Sequence, residues 1–97
     1  MTALEEHLAA LAAAGQSTSY GALARDLGLR MGELTAALEA LMEEDAALGR
    51  PFRAVVVSAR GSALPARGFF DKAADLGRPA ADPAAFVAAE RLALSRG

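Results

Sequence analysis

The spacing of apolar positions divides the chain into helical and non-helical stretches. Leu4, Leu8 and Leu11 recur at steps of four and three, and Thr2 and Glu5 ahead of them have the form of a capping box. With Gly15 as a stop, this predicts a first helix over residues 2–14, within a first element of 1–15. Residues 16–19 are polar and read as a connector. Ser19 is a good N-cap for a short second helix over 20–27, whose Leu23 and Leu27 lie four apart and which Gly28 ends. After a tight turn through 28–31, a third helix is expected up to residue 48. It buries Leu34, Leu38, Leu41 and Met42 and shows Glu33, Glu39, Glu43 and Glu44 to solvent; Gly49 closes it before Pro51.

Beyond Pro51 the pattern changes. Residues 52–58 include the chain's only adjacent β-branched apolar residues, Val55, Val56 and Val57. Arg60-Gly61 offers a turn, and 63–66 can return as a short edge strand marked by Pro65. The expectation is a β-hairpin over 52–66. Gly68 then leads into a short helix over 69–76, Gly77-Arg78-Pro79 breaks it, and Asp82 followed by Pro83 starts a last helix to about 95.

The expected fold is therefore mainly α with a small β-hairpin, in one domain spanning 1–97. Its order is that of a winged helix-turn-helix: three helices, a short second one and a Gly-containing turn before the third, then a hairpin wing. A three-helix bundle with an added strand pair accounts for the same pattern.

Composition supports a helical chain and removes several kinds of chemistry. The hydrophobic residues are mostly Ala and Leu, Ile and Trp are absent, and only five residues are aromatic. There is no Cys, which excludes disulfides, thiolate metal sites and cysteine nucleophiles. Glu5 and Glu6 replace the positive start of an export signal, and no apolar run reaches the roughly 18 residues of a membrane span, so a cytoplasmic location with no membrane partner is expected. Nine Arg against one Lys, beside abundant Ala, fits a GC-rich coding bias and is given no functional weight.

Charge is unevenly placed. Residues 1–49 hold two Arg against eight acids, residues 50–97 hold eight basic groups against four acids, and the stretch 50–67 has four Arg and no acid. Arg53, Arg60 and Arg67 with Ser58 and Ser62 gather positive charge and hydroxyl donors around the expected hairpin, as contacts to duplex DNA phosphates require; an arginine-bearing edge that merely stays soluble explains them too. The third helix is acidic on its exposed side and would repel phosphates. That leaves Tyr20, Arg30 and the wing as the DNA-binding candidates.

Between Ser19 and Gly68 the chain resembles the DNA-binding domain of alkylguanine-DNA alkyltransferases and alkyltransferase-like proteins. Ser19-Tyr20-Gly21-Ala22-Leu23-Ala24 is similar to that family's helix start, and Pro51-Phe52-Arg53-Ala54-Val55 followed by Ser58-Ala59-Arg60-Gly61-Ser62-Ala63-Leu64-Pro65 to its reactive segment and wing. The resemblance covers about half the chain and implies a winged-helix scaffold on DNA. Phe52 stands where the family's alkyl-accepting Cys would be and Arg53 where its His would be, so the transfer chemistry is not implied.

Other candidate chemistry is sparse. His7 is the sole histidine and reads as a surface residue; no Ser-His-Asp arrangement, phosphate-binding Gly-rich loop or zinc pattern occurs, so neither an enzyme nor a cofactor is expected. Of Phe69 and Phe70, about 100° apart on a helix, one is expected in the core. The other, with Phe86 or Leu94, would make the last helix a candidate homodimer or partner surface. Two functions follow. One is a small DNA-binding regulator or accessory factor with a basic wing; the other is a winged-helix protein-contact module whose acidic third helix meets a basic protein partner. Phe52 is expected to enter the core as the opening of a strand.

Overall fold

In the computed structural model, which describes residues 1–96, the helices start where the capping chemistry places them. At α1 (Ala3–Ala13), Glu5 N–H donates to Thr2 Oγ1 at 3.1 Å and Thr2 N–H donates to Glu5 Oε1 at 3.0 Å. At α2 (Tyr20–Leu27), Ala22 N–H donates to Ser19 Oγ at 3.1 Å. Gly28 ends this helix with φ of 66°, a left-handed conformation that lets Leu29 N–H reach back to the Ala24 carbonyl at 2.8 Å. The chain turns so tightly there that α3 (Met31–Ala47) follows after Arg30, whose N–H donates to Glu33 Oε1 at 2.9 Å. α4 (Arg67–Asp75) begins two residues earlier than expected, taking Gly68 into its first turn. α5 (Pro83–Arg96) opens with Ala85 N–H donating to Asp82 Oδ1 at 3.2 Å.

The β-hairpin expected over 52–66 does not form. Arg53–Val56 is one 3₁₀ turn, and the strand after it, β2 (Val57–Ser58), pairs in parallel with β1 (Thr18–Ser19) at the end of the first connector. Residues 63–66 make no strand. Ala59 N–H instead donates to the Leu64 carbonyl at 2.8 Å and Ser62 N–H to the Ala59 carbonyl at 3.0 Å, closing 59–64 into a compact loop with Pro65 buried behind it. The physical reason lies in the run Ala54–Val57, which has no polar alternation. A hairpin with one wet face needs alternating positions, whereas a continuous apolar run is stable only when covered on every side.

That covering is the core of the fold. Phe52, Ala54, Val55, Val56 and Val57 are each at most 3% exposed. Around them pack Leu4 and Leu8 of α1, Leu23 of α2, Leu34, Leu38 and Met42 of α3, Phe69 and Ala73 of α4 and Val87 of α5. Phe52 enters the interior as expected, meeting Phe69 edge-on at a centroid distance of 5.9 Å and Phe86 at 6.4 Å, with the Arg78 guanidinium 4.4 Å from its ring centroid. Phe69 takes the core position of the Phe69-Phe70 pair and Phe70 is half-buried. Among the described residues, no helix is long and apolar enough to cross a membrane.

A backbone buried this way outside any extended ladder needs other hydrogen-bond partners, and charged side chains supply them. Phe52 N–H donates to Glu90 Oε1 at 3.1 Å, Arg53 N–H to Asp45 Oδ2 at 3.0 Å, and Arg91 Nε donates to the Val55 carbonyl at 2.9 Å. Asp45, wholly buried, also accepts from Arg53 Nε at 3.0 Å and lies 3.1 Å from Arg50 Nη2. Arg53 Nη1 then donates to Glu5 Oε2 at 2.9 Å, tying α1 to α3 through the 3₁₀ turn.

Two outcomes follow from this packing. Phe52→Ala should cost about 3–5 kcal/mol, read from chemical denaturation, since three aromatic and cationic neighbours lose their contact at once. Glu5 accepts hydrogen bonds from the Thr2 N–H and from Arg53, which lower its carboxyl from 4.5 to about 2. A carboxyl lowered in the folded state stabilises it above pH 4.5, and that contribution disappears as pH falls towards 2. Denaturation midpoints measured across this range should therefore fall less steeply in Glu5→Gln than in the native chain.

Candidate nucleic-acid interface

The starts of α2, α3 and α4 and the 59–64 loop converge on one side of the molecule, where two depressions adjoin. The polar one, about 560 Å³, is lined by Ser19, Tyr20, Gly21, Ala22 and Arg25 of the α2 end, by Met31 of α3 and by Arg60 of the loop. The apolar one, about 340 Å³, runs between α3, α4 and the loop over Leu38, Met42, Ala54 and Phe69, with Thr35, Glu39 and Arg60 also on its walls. Tyr20, Met31 and Arg60 belong to both.

Tyr20 joins these elements. Its hydroxyl oxygen accepts from Ala66 N–H at 3.1 Å, fixing the chain that leads from the loop into α4. Partial burial pushes the phenol up from its ordinary pKa, so it stays protonated. No acceptor for its own proton occurs among the described residues.

Which cations are free is decided by the interior. Arg50 pairs with Glu44 and Asp45, Arg53 with Asp45 and Glu5, Lys72 with Glu43, and Arg78 with Glu90. Arg91 donates to Val55 and Ser58. Arg30 and Arg67 are strongly exposed, each beside one exposed carboxylate: Glu33 at 3.3 Å and Asp71 at 3.8 Å. Arg25, Arg60 and, at the end of α5, Arg96 are exposed and, among the described residues, have no ion-pair partner.

Two of the residues expected to touch phosphate have internal partners in this arrangement. Arg53, with its side chain 19% exposed, is committed to Asp45 and Glu5, because the segment it belongs to is interior and not an edge. Ser58 is buried for the same reason, accepting from Arg91 Nη2 at 3.1 Å. Tyr20 and Arg60 line both depressions, whereas Arg30, Ser62 and Arg67 line neither. Ser62 Oγ accepts from Leu64 N–H at 3.0 Å and so also shapes the loop. Arg25 was missed: on sequence it is one of two Arg in the acidic half, and only the turn at Gly28 and the return of the 59–64 loop set it near Arg60. His7 lies half-buried on α1, 4.0 Å from Asp26 of α2, and no cluster of three metal-ligating side chains occurs among the described residues.

Tyr20→Phe removes the acceptor of a part-buried N–H. It should lower stability by about 1–2 kcal/mol in denaturant titration and speed amide exchange at Ala66 more than at core amides of α1. No family model, curated protein or solved structure matches the chain.

Proposed function

We propose that this chain is a cytoplasmic DNA-binding protein of winged-helix type, a small regulator or accessory factor without catalysis, that contacts duplex phosphates through Arg25 and Arg60 across the start of α2. The observation carrying this reading is that Arg25 and Arg60, from separate elements, line one polar depression and have no carboxylate partner among the described residues. Guanidinium groups held in such a recess are suited to phosphate oxygens, and the first-turn N–H groups of α2 point out of the helix end with partial positive charge. A Cβ at Gly21 would meet nothing within 4 Å, so the backbone there is open to approach. In this reading the 59–64 loop, which carries Arg60 and Ser62, serves as the wing.

The acids of α3 oppose this reading less than their number suggests. Glu33 faces Arg30, Glu43 pairs with Lys72, and Glu44 and Asp45 pair with Arg50. Only Glu39 among the α3 acids has no cation within pairing distance among the described residues, which disfavours deep entry of the middle of α3 into a groove and favours contact at its start. The same pairing weakens the alternative, a basic protein partner on an acidic α3.

Fluorescence anisotropy with a labelled duplex across a salt series tests the proposal. Binding should weaken with salt, and Arg25→Ala and Arg60→Ala should each lower the affinity and reduce the slope of log K against log salt by about 1. Arg96→Ala, at the far end of α5, should leave the slope unchanged. Absence of binding at micromolar protein in low salt, or slopes unaltered in both depression variants, would overturn it.

A further inference from the structure

The apolar depression beside this polar recess has the features of a ligand site that duplex contact alone does not require. Leu38, Met42 and Phe69 form an apolar floor within a volume of about 340 Å³, at the small end of the roughly 300–1,000 Å³ range of small-molecule sites. Arg60 stands on its wall as an exposed cation without an ion-pair partner among the described residues, and Tyr20 adds a protonated phenol whose hydrogen has no acceptor among them. Glu39 is on the wall as well and disfavours a ligand carrying a second negative charge. Met31 and Met42 can adjust their shape to a flat or branched apolar body.

We infer that this depression binds a small amphipathic monoanion, an aromatic or short aliphatic carboxylate, with its apolar body over Leu38, Met42 and Phe69 and its carboxylate on Arg60. Charge complementarity decides the class. A neutral apolar ligand would leave the Arg60 and Tyr20 donors unused, a cation would meet Arg60 with like charge, and a dianion would place charge against Glu39. A carboxylate satisfies the free donors and lets the rest of the molecule displace water from an apolar floor. The site does not depend on duplex binding, and its test contains no DNA, so either reading can fail alone.

Titration calorimetry of the whole chain with three probes of one shape, 2-naphthoate, 2-naphthamide and 2-naphthylmethylammonium, tests the inference. The acid should bind about tenfold more tightly than the amide, the size of one charge-assisted contact, and the ammonium should bind most weakly. Arg60→Gln should erase the preference for the acid while leaving the far-ultraviolet circular dichroism and melting temperature as they are, since Arg60 makes no internal pair. Thr35→Phe, an exposed α3 position on the depression wall, should fill the space and weaken all three probes by about tenfold or more. Equal binding of acid and amide, an acid preference that survives Arg60→Gln, undiminished naphthoate binding in Thr35→Phe, or no binding of any probe at millimolar concentration would each overturn the inference.

Discussion

The structure depends on keeping a short, strongly apolar segment, residues 52–58, in the interior without leaving its peptide groups unpaired. Burying three successive valines and a phenylalanine is favourable at about 1.5–3 kcal/mol per large side chain, but each buried N–H or C=O left without a partner would cost a comparable amount. A long sheet would be the usual answer. Here only two residues of β2 find a strand partner, so Glu90, Asp45 and Arg91 reach in from α5 and α3 to bond the backbone directly. These side chains do for the 52–55 backbone what neighbouring strands do in a sheet.

This arrangement explains where the charges went. Asp45 could not be wholly buried alone, and Arg53 and Arg50 neutralise it while Arg53 Nη1 continues to Glu5 on α1. Arg78 donates to the Arg50 carbonyl at 2.6 Å and covers the Phe52 ring. Arg91 serves Val55 and Ser58. Much of the basic character of the second half is thus internal scaffolding, and the same ion pairs neutralise much of the acidic surface of α3. The two halves with opposite charge largely satisfy each other.

What remains for the exterior is a small set of groups brought together by turns. Gly28 reverses the chain between α2 and α3, and the 59–64 loop returns from β2 over the α2 start, where Tyr20 holds Ala66. Arg25 and Arg60 end up in one recess, with an apolar depression alongside whose floor is the exposed margin of the core itself. Arg60 belongs to both depressions; the α2 start completes the polar one, and α3 with α4 completes the apolar one.

Local chemistry made much of the helical framework legible. Thr2 with Glu5, Ser19, Gly28 and Asp82 with Pro83 act through partners at most five residues away, so α1, α2, α3 and α5 could be placed from the sequence to within a residue or two. Phe52 in the core was legible too, since Pro51 before it and three valines after it describe a chain entering the interior. The hairpin was misjudged although a signal existed: Ala54–Val57 does not alternate, and a strand with one wet face would. The fates of Arg53, Ser58 and Arg25 were not legible. Each depends on a partner or neighbour far along the chain, Arg53 on Glu5 48 positions away and Ser58 on Arg91 33 positions away. The sequence by itself determined which residues could cap, turn or be buried, because those preferences are set by a few neighbouring peptide units. Which arginines are spent inside and which face solvent was decided only by the tertiary structure, because a guanidinium's role is set by the carboxylates and carbonyls that folding brings within about 3–4 Å of it.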